Sequence, residues 1–210
     1  MKLSKGFTLI ELMVVITIIG LLTVALLPEI TKVMGLGDAA ATRARIDLLR
    51  AMIDKYETRQ GEYPPSEFAK SLKDVKVKSD TTNMGIECLL IHLHQKSLGV
   101  NFSLEDHQDW LKNTDDDDNG ALIPQLRTTK KLEVVDAWHN PIVYFRNDSY
   151  GKPQEVMYGD EDADNQTTNV SAMKGEGHYL NSQKYQLISA GEDGEFGTND
   201  DICYPSVIPK

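Results

Sequence analysis

From Phe7 to Leu27 the chain reads FTLIELMVVITIIGLLTVALL, twenty-one residues that carry a single charge, Glu11. As a helix at about 1.5 Å per residue, this run spans roughly 30 Å, the thickness of a bilayer's hydrocarbon core. It dictates one long N-terminal helix and leaves the remaining residues to build a domain outside it. Lys2 and Lys5 precede the run, while Glu29 and Lys32 balance beyond it. The positive-inside rule therefore puts residue 1 in the cytoplasm and the bulk of the chain on the far side. An ordinary secretory signal has a shorter apolar core followed by a small-residue cleavage site. Here the run is long, and the small residue at a plausible boundary, Gly6, comes before it.

Glu11 is the discriminating residue. A carboxylate inside a membrane helix costs about 2.5–3.5 kcal/mol at the centre, less near an end, and normally has a partner. A cut between Gly6 and Phe7 would give Phe7 a positive α-amino group one helical turn before Glu11. That amine, its own or a neighbouring subunit's, is a natural counter-ion. Snorkelling to the interface is the plain alternative, and charge alone does not separate the two.

Beyond the run, Pro28 removes one helical hydrogen bond, so a kink or local melting is expected there, and Gly35 and Gly37 weaken the helix by about 1 kcal/mol each. The helix recovers from Ala39: Ile46, Leu49, Ile53 and Tyr56 recur at spacings of three and four, with Arg43, Arg45, Asp47, Arg50, Asp54 and Lys55 as the polar face. It should stop near Gly61, before Pro64 and Pro65. LKDVKV (72–77) alternates like a short strand, and GIECLLIHLHQKSL (85–98) reads as a helix. Ile142, Tyr144, Tyr185 and Leu187 suit short antiparallel strands. The polar stretch 159–177 reads as a long surface loop. These segments predict an α+β protein, a long helix on a small antiparallel sheet with long loops.

A net charge of −10 disfavours a general nucleic-acid binder. Enzymatic motifs are missing: the sequence has no G-x-S-x-G, no H-E-x-x-H and no phosphate-cradling Gly-rich loop. The acidic residues suit cation binding better. In YQLISAGEDGEFGTNDDI (185–202), Asp193, Asp200 and Asp201 bracket a glycine-rich turn. Calcium takes six to eight oxygens in irregular geometry, and this loop offers three carboxylates, Asn199, Ser189 and several carbonyls. Asp115, Asp117, Asn119 and Gly120 imitate the front of an EF-hand loop, but the twelfth position is Leu126 where a bidentate Glu is needed. A solvated acidic loop is expected there, with a weak second cation site as a lesser option. Cys88, His92, His94 and His107 match no closed zinc spacing. Outside the cytoplasm Cys88 and Cys203 are candidates for a disulfide, provided their Cα atoms come within about 7 Å.

Three stretches resemble one family. KGFTLIEL (5–12) is similar to the class III signal of type IV pilins and type II secretion pseudopilins. YETRQGEYPP (56–65) is similar to the Y-x-x-x-x-G-x-Y-P run of major pseudopilins. VVDAWHNPIVYF (134–145) resembles their D-x-W-G-N-P-x-x-Y segment, with His139 where the family has glycine. The terminal loop also resembles their calcium loop. The resemblance implies cleavage after Gly6 by a prepilin peptidase, N-methylation of Phe7, and Glu11 as the assembly carboxylate. It implies calcium on Asp193, Asp200, Asp201 and the Ala190 carbonyl. The implied segments are a leader (1–6), a membrane and filament-core helix (7–27) and its amphipathic second half (28–62). A variable insertion (63–133) and a sheet with the calcium loop (134–210) follow. The expected partners are identical subunits, minor pseudopilins, the inner-membrane assembly platform and the membrane, and no nucleic acid. The expected site is the bacterial inner membrane, single-pass with a periplasmic domain, until the subunit is extracted into a filament. The implied role is a non-enzymatic pseudopilus subunit driving protein export. A type IV pilin for adhesion, motility or DNA uptake is the alternative filament, and a membrane-anchored calcium-dependent binding module is the alternative class.

Overall fold

The computed structural model describes residues 7–68, 77–78, 81–94, 106–158 and 166–206, and within residues 26–34 the backbone alone. Helix α1 runs unbroken over Leu9–Gln60, through Pro28. It ends where the sequence places the stop: Gly61 takes a positive φ of 77° and its N–H returns to the Glu57 carbonyl at 2.7 Å. Such a left-handed residue after the last turn is a common helix terminator. The chain divides into two compact units, residues 1–38 and 39–210.

In the second unit, α2 (Met84–Leu93) is followed by short antiparallel strands. These are β1 (Leu111–Lys112), β2 (Asp118–Ile123), β3 (Thr128–Lys130), β4 (Glu133–Val134), β5 (Val143–Arg146) and β6 (Gln154–Tyr158). Then come β7 (Gln166–Val170), β8 (Lys174–Gly175), β9 (His178–Tyr179), β10 (Tyr185–Ser189) and β11 (Ile202–Tyr204). The central sheet has the order β11-β10-β5, with Leu187 opposite Tyr144 and Ile188 opposite both Val143 and Cys203. Alternation along these strands sends side chains to two cores. Tyr144, Tyr185 and Leu187 meet Leu49, Ile53 and Tyr56 of α1 and Leu89 and Leu90 of α2. Val143, Phe145 and Ile188 face Val156, Val170 and Tyr150 on the other side. The architecture is the expected α+β helix-on-sheet arrangement.

Four sequence expectations change. The helix expected over 85–98 is Met84–Leu93 within the described residues, and it is buried from Gly85 to Leu93, so part of the insertion forms the core. Residues 166–170 are a strand paired with β6, and 174–175 and 178–179 form a hairpin, where a surface loop was expected. Arg45, assigned to the polar face, is only 8% exposed. Its guanidinium donates to the Val135 and Asp136 carbonyls, both at 2.8 Å, which ties α1 to the chain entering β5. Asp115–Asp118 are not a purely solvated run, because Asp117 pairs with the buried Lys131. Residues 72–76 and 95–98 lie outside the described residues.

Candidate assembly segment and cation loop

In the N-terminal unit every side chain described from Phe7 to Ala25 is exposed, Phe7 itself at 74%. An exposed helix that is apolar all round needs lipid or other helices around it. Among the described residues no helix is long and apolar enough to cross a membrane.

At its start Thr8 and Glu11 close on each other. The Thr8 N–H and hydroxyl both donate to Glu11 Oε2 at 2.8 Å, and the Glu11 N–H donates to Thr8 Oγ1 at 3.2 Å. This is a capping box, in which threonine and a glutamate three positions on satisfy each other's backbone donors. The T-x-x-E pattern at Thr8–Glu11 is visible in the sequence. It goes unnoticed when Glu11 is read only as a carboxylate in need of a cation. The cap places Glu11 in the first turn, beside the Phe7–Thr8 backbone. Gly6 lies outside the described residues.

At the other end of the chain, the 190–201 loop satisfies its carboxylates largely with its own backbone. Asp193 Oδ1 accepts the Glu195 N–H at 2.8 Å, Asp200 Oδ2 accepts the Asp193 N–H at 3.0 Å, and Asp201 Oδ2 accepts the Gly197 N–H at 2.8 Å. Burial pushes the Asp201 carboxyl up, and the neighbouring Asp200 and Asp193 charges add to it. Gly191 is required here. Its φ is 72°, and a Cβ would stand 2.6 Å from Asp200 Oδ2 and 2.5 Å from the Asp200 carbonyl oxygen. Ala190, fully buried, leads directly into that contact. The donors are all oxygen, the set a hard cation takes. Ser189 bridges the loop and the turn before it: its hydroxyl donates to Asp136 Oδ2 at 2.7 Å while its Oγ accepts the Gly191 N–H at 3.3 Å. Among the described residues, the acidic trio whose ligand oxygens all lie within 4.8 Å of one another is a different one, Glu87, Asp115 and Glu133.

The Asp136 turn holds this region to the sheet. Asp136 Oδ1 accepts the N–H groups of Trp138 and Asn140 at 3.0 and 2.9 Å, and His139 occupies the left-handed region at φ 72°. The turn therefore keeps the backbone that the glycine of the resembled segment would favour, with histidine in it. Cys88 and Cys203 are not bridged. Cys88 belongs to the core under α2, whereas Cys203 packs against the core on the opposite face of the sheet. Burial, reinforced by Asp201, pushes the Cys203 thiol up to about 12.

An apolar, capped N-terminal helix joined to an α+β domain is consistent with a pilin-like fold. Residues 1–27 match the prokaryotic N-terminal methylation motif. The chain resembles the type IV pilin and pseudopilin superfamily, on its pseudopilin side. It is similar to the type II secretion system core protein G of Escherichia coli strain K12, with 25% identity over 199 residues, covering 95% of this chain and 89% of that protein. No solved structure matches it.

Proposed function

We propose that this chain is the structural, non-catalytic subunit of a type II secretion pseudopilus. Its leader is removed after Gly6, Phe7 becomes the methylated N-terminus, and α1 leaves the inner membrane to pack among identical helices. The observation that carries the reading is the coincidence of the methylation motif with an apolar helix start whose described side chains are all exposed. Lipid covers that apolar surface before assembly and neighbouring copies cover it afterwards. The new amine at Phe7 would sit beside the Thr8–Glu11 cap, where a carboxylate is already fixed. The periplasmic domain then forms the outside of the filament, with minor pseudopilins and the assembly platform as its partners. Calcium held by Asp193, Asp200, Asp201 and the Ala190 carbonyl would neutralise the repelling carboxylates and lock the terminal loop onto the sheet. The type IV pilus alternative draws no support from the cysteines, which are not bridged.

Intact mass of the membrane-extracted protein tests the reading directly. The expected mass lacks MKLSKG and carries one additional methyl group. A native molecule that retains those six residues would overturn the filament assignment.

A further inference from the structure

Residues 66–133 hold none of the family-like motifs singled out in the sequence, yet they bring three carboxylates from separate elements to one point. Glu87 comes from the first turn of α2, Asp115 from the turn between β1 and β2, and Glu133 from β4. One ligand oxygen from each lies within 4.8 Å of the other two. Glu87 and Glu133 are fully buried, and Asp115 is partly buried. The Lys131 ammonium meets Glu87 Oε2 at 3.2 Å and also pairs with Asp117.

Glu133 adds an independent observation. Its Oε2 accepts the Thr114 N–H at 2.8 Å, while its Oε1 is buried and accepts no hydrogen bond among the described residues. A carboxylate oxygen withdrawn from water with no donor is costly to keep, and buried charges are ordinarily paired or coordinate a metal. Asn113, two positions before Asp115, shows the same pattern. Its amide nitrogen donates to the Asp117 carbonyl at 3.0 Å, and its buried Oδ1 accepts nothing among the described residues.

We infer that Glu87, Asp115 and Glu133 hold a hard divalent cation that pins the 113–133 segment to α2. The trio contains neither thiolate nor imidazole, which turns the site away from zinc and copper and toward calcium or magnesium. Calcium fits better, because it accepts many oxygens in irregular geometry while magnesium keeps several waters in a strict octahedron. The rival arrangement is a proton shared among the carboxylates, as happens when like charges crowd together. A cation would displace that proton and engage all three groups. The site shares no residue with the 190–201 loop.

The test uses the full-length protein in detergent micelles, stripped with chelator and titrated calorimetrically with calcium, then separately with magnesium. Wild type, Glu133→Gln, Asp115→Asn, Asp201→Asn and the Glu133→Gln/Asp201→Asn double variant are compared. Glu133→Gln and Asp115→Asn should each lose one calcium equivalent per chain, and the double variant should bind one fewer than Asp201→Asn alone. In chelator Glu133→Gln should melt above wild type, because a buried repelling charge is gone, and at saturating calcium the order should reverse. A residue that only packs would not give that crossing. If Glu133→Gln fails to fold, Asp115→Asn, whose side chain is partly exposed, gives the stoichiometry by itself. Unchanged calcium and magnesium stoichiometry in Asp115→Asn overturns the inference. So does loss of all binding in Asp201→Asn, an outcome that leaves the terminal loop's site standing.

Discussion

Two acidic regions of the second unit solve the same electrostatic problem differently. In the 190–201 loop the carboxylates are close in sequence, and backbone N–H groups of the loop itself satisfy them. Around Glu133 the carboxylates arrive from three elements, and the pocket has a buried lysine as its counter-charge. The first arrangement can form from a single glycine-rich turn. The second exists only once α2, the β1–β2 turn and β4 have all docked. A local site gains little from the fold beyond a place to rest, whereas a dispersed site is itself part of what holds the fold together.

Lys131 offers the harshest way to break this comparison. Lys131→Met removes the ammonium facing Glu87 and Asp117 and leaves their charges buried. Breaking a buried pair from one side costs about 3–5 kcal/mol, and denaturant unfolding in chelator should show a loss of that size. Calcium should recover part of it if a dication can replace the missing charge. A loss below about 1 kcal/mol would mean that the pocket is wet and the pair behaves as a surface one.

Asp201→Asn probes the other region and should behave in the opposite way. In chelator its melting point should stay close to wild type. With calcium at a hundredfold above its dissociation constant, the wild type should gain about 2.7 kcal/mol that the variant lacks. Equal melting of the two proteins across a calcium titration would remove the ion from the terminal loop.

What the sequence reveals follows the same division between local and dispersed. The apolar run, the stop at Gly61, the short strand segments around Ile142–Tyr144 and Tyr185–Leu187, and the glycine-rich Asp193–Asp201 loop are patterns within a few residues of one another, so they can be read directly. The burial of α2 is not legible, because a helix covered on all sides differs from an amphipathic one through what topology packs against it. Strand β7, with Gln166, Thr167, Thr168 and Asn169, is too polar to announce itself and is fixed by its pairing with β6. Arg45 looks like a surface residue until two carbonyls ninety positions away claim its guanidinium. Glu87, Asp115 and Glu133 give no motif at all, since no spacing connects them.

His139 gives the smallest effect and the finest comparison, because its turn links the sheet to the terminal loop: Asn140 lies 3.7 Å from where a Cβ on Gly194 would stand. At φ 72° an L-residue crowds its own carbonyl, at a cost of roughly 1–2 kcal/mol that glycine avoids. The His139 side chain is exposed, so removing it sacrifices little packing. Glycine loses more backbone freedom on folding, which offsets part of the gain. His139→Gly should therefore stabilise the protein by about 1 kcal/mol, with or without calcium, because the turn is held by the Asp136 side chain and by backbone groups that glycine keeps, the backbone N–H of His139 to the Asp136 carbonyl at 3.1 Å among them. Thermal melts in chelator and in calcium should show the same upward shift. A gain that appears only with calcium would instead mean that the turn and the terminal loop are coupled, and that the loop is less self-contained than its hydrogen bonds imply.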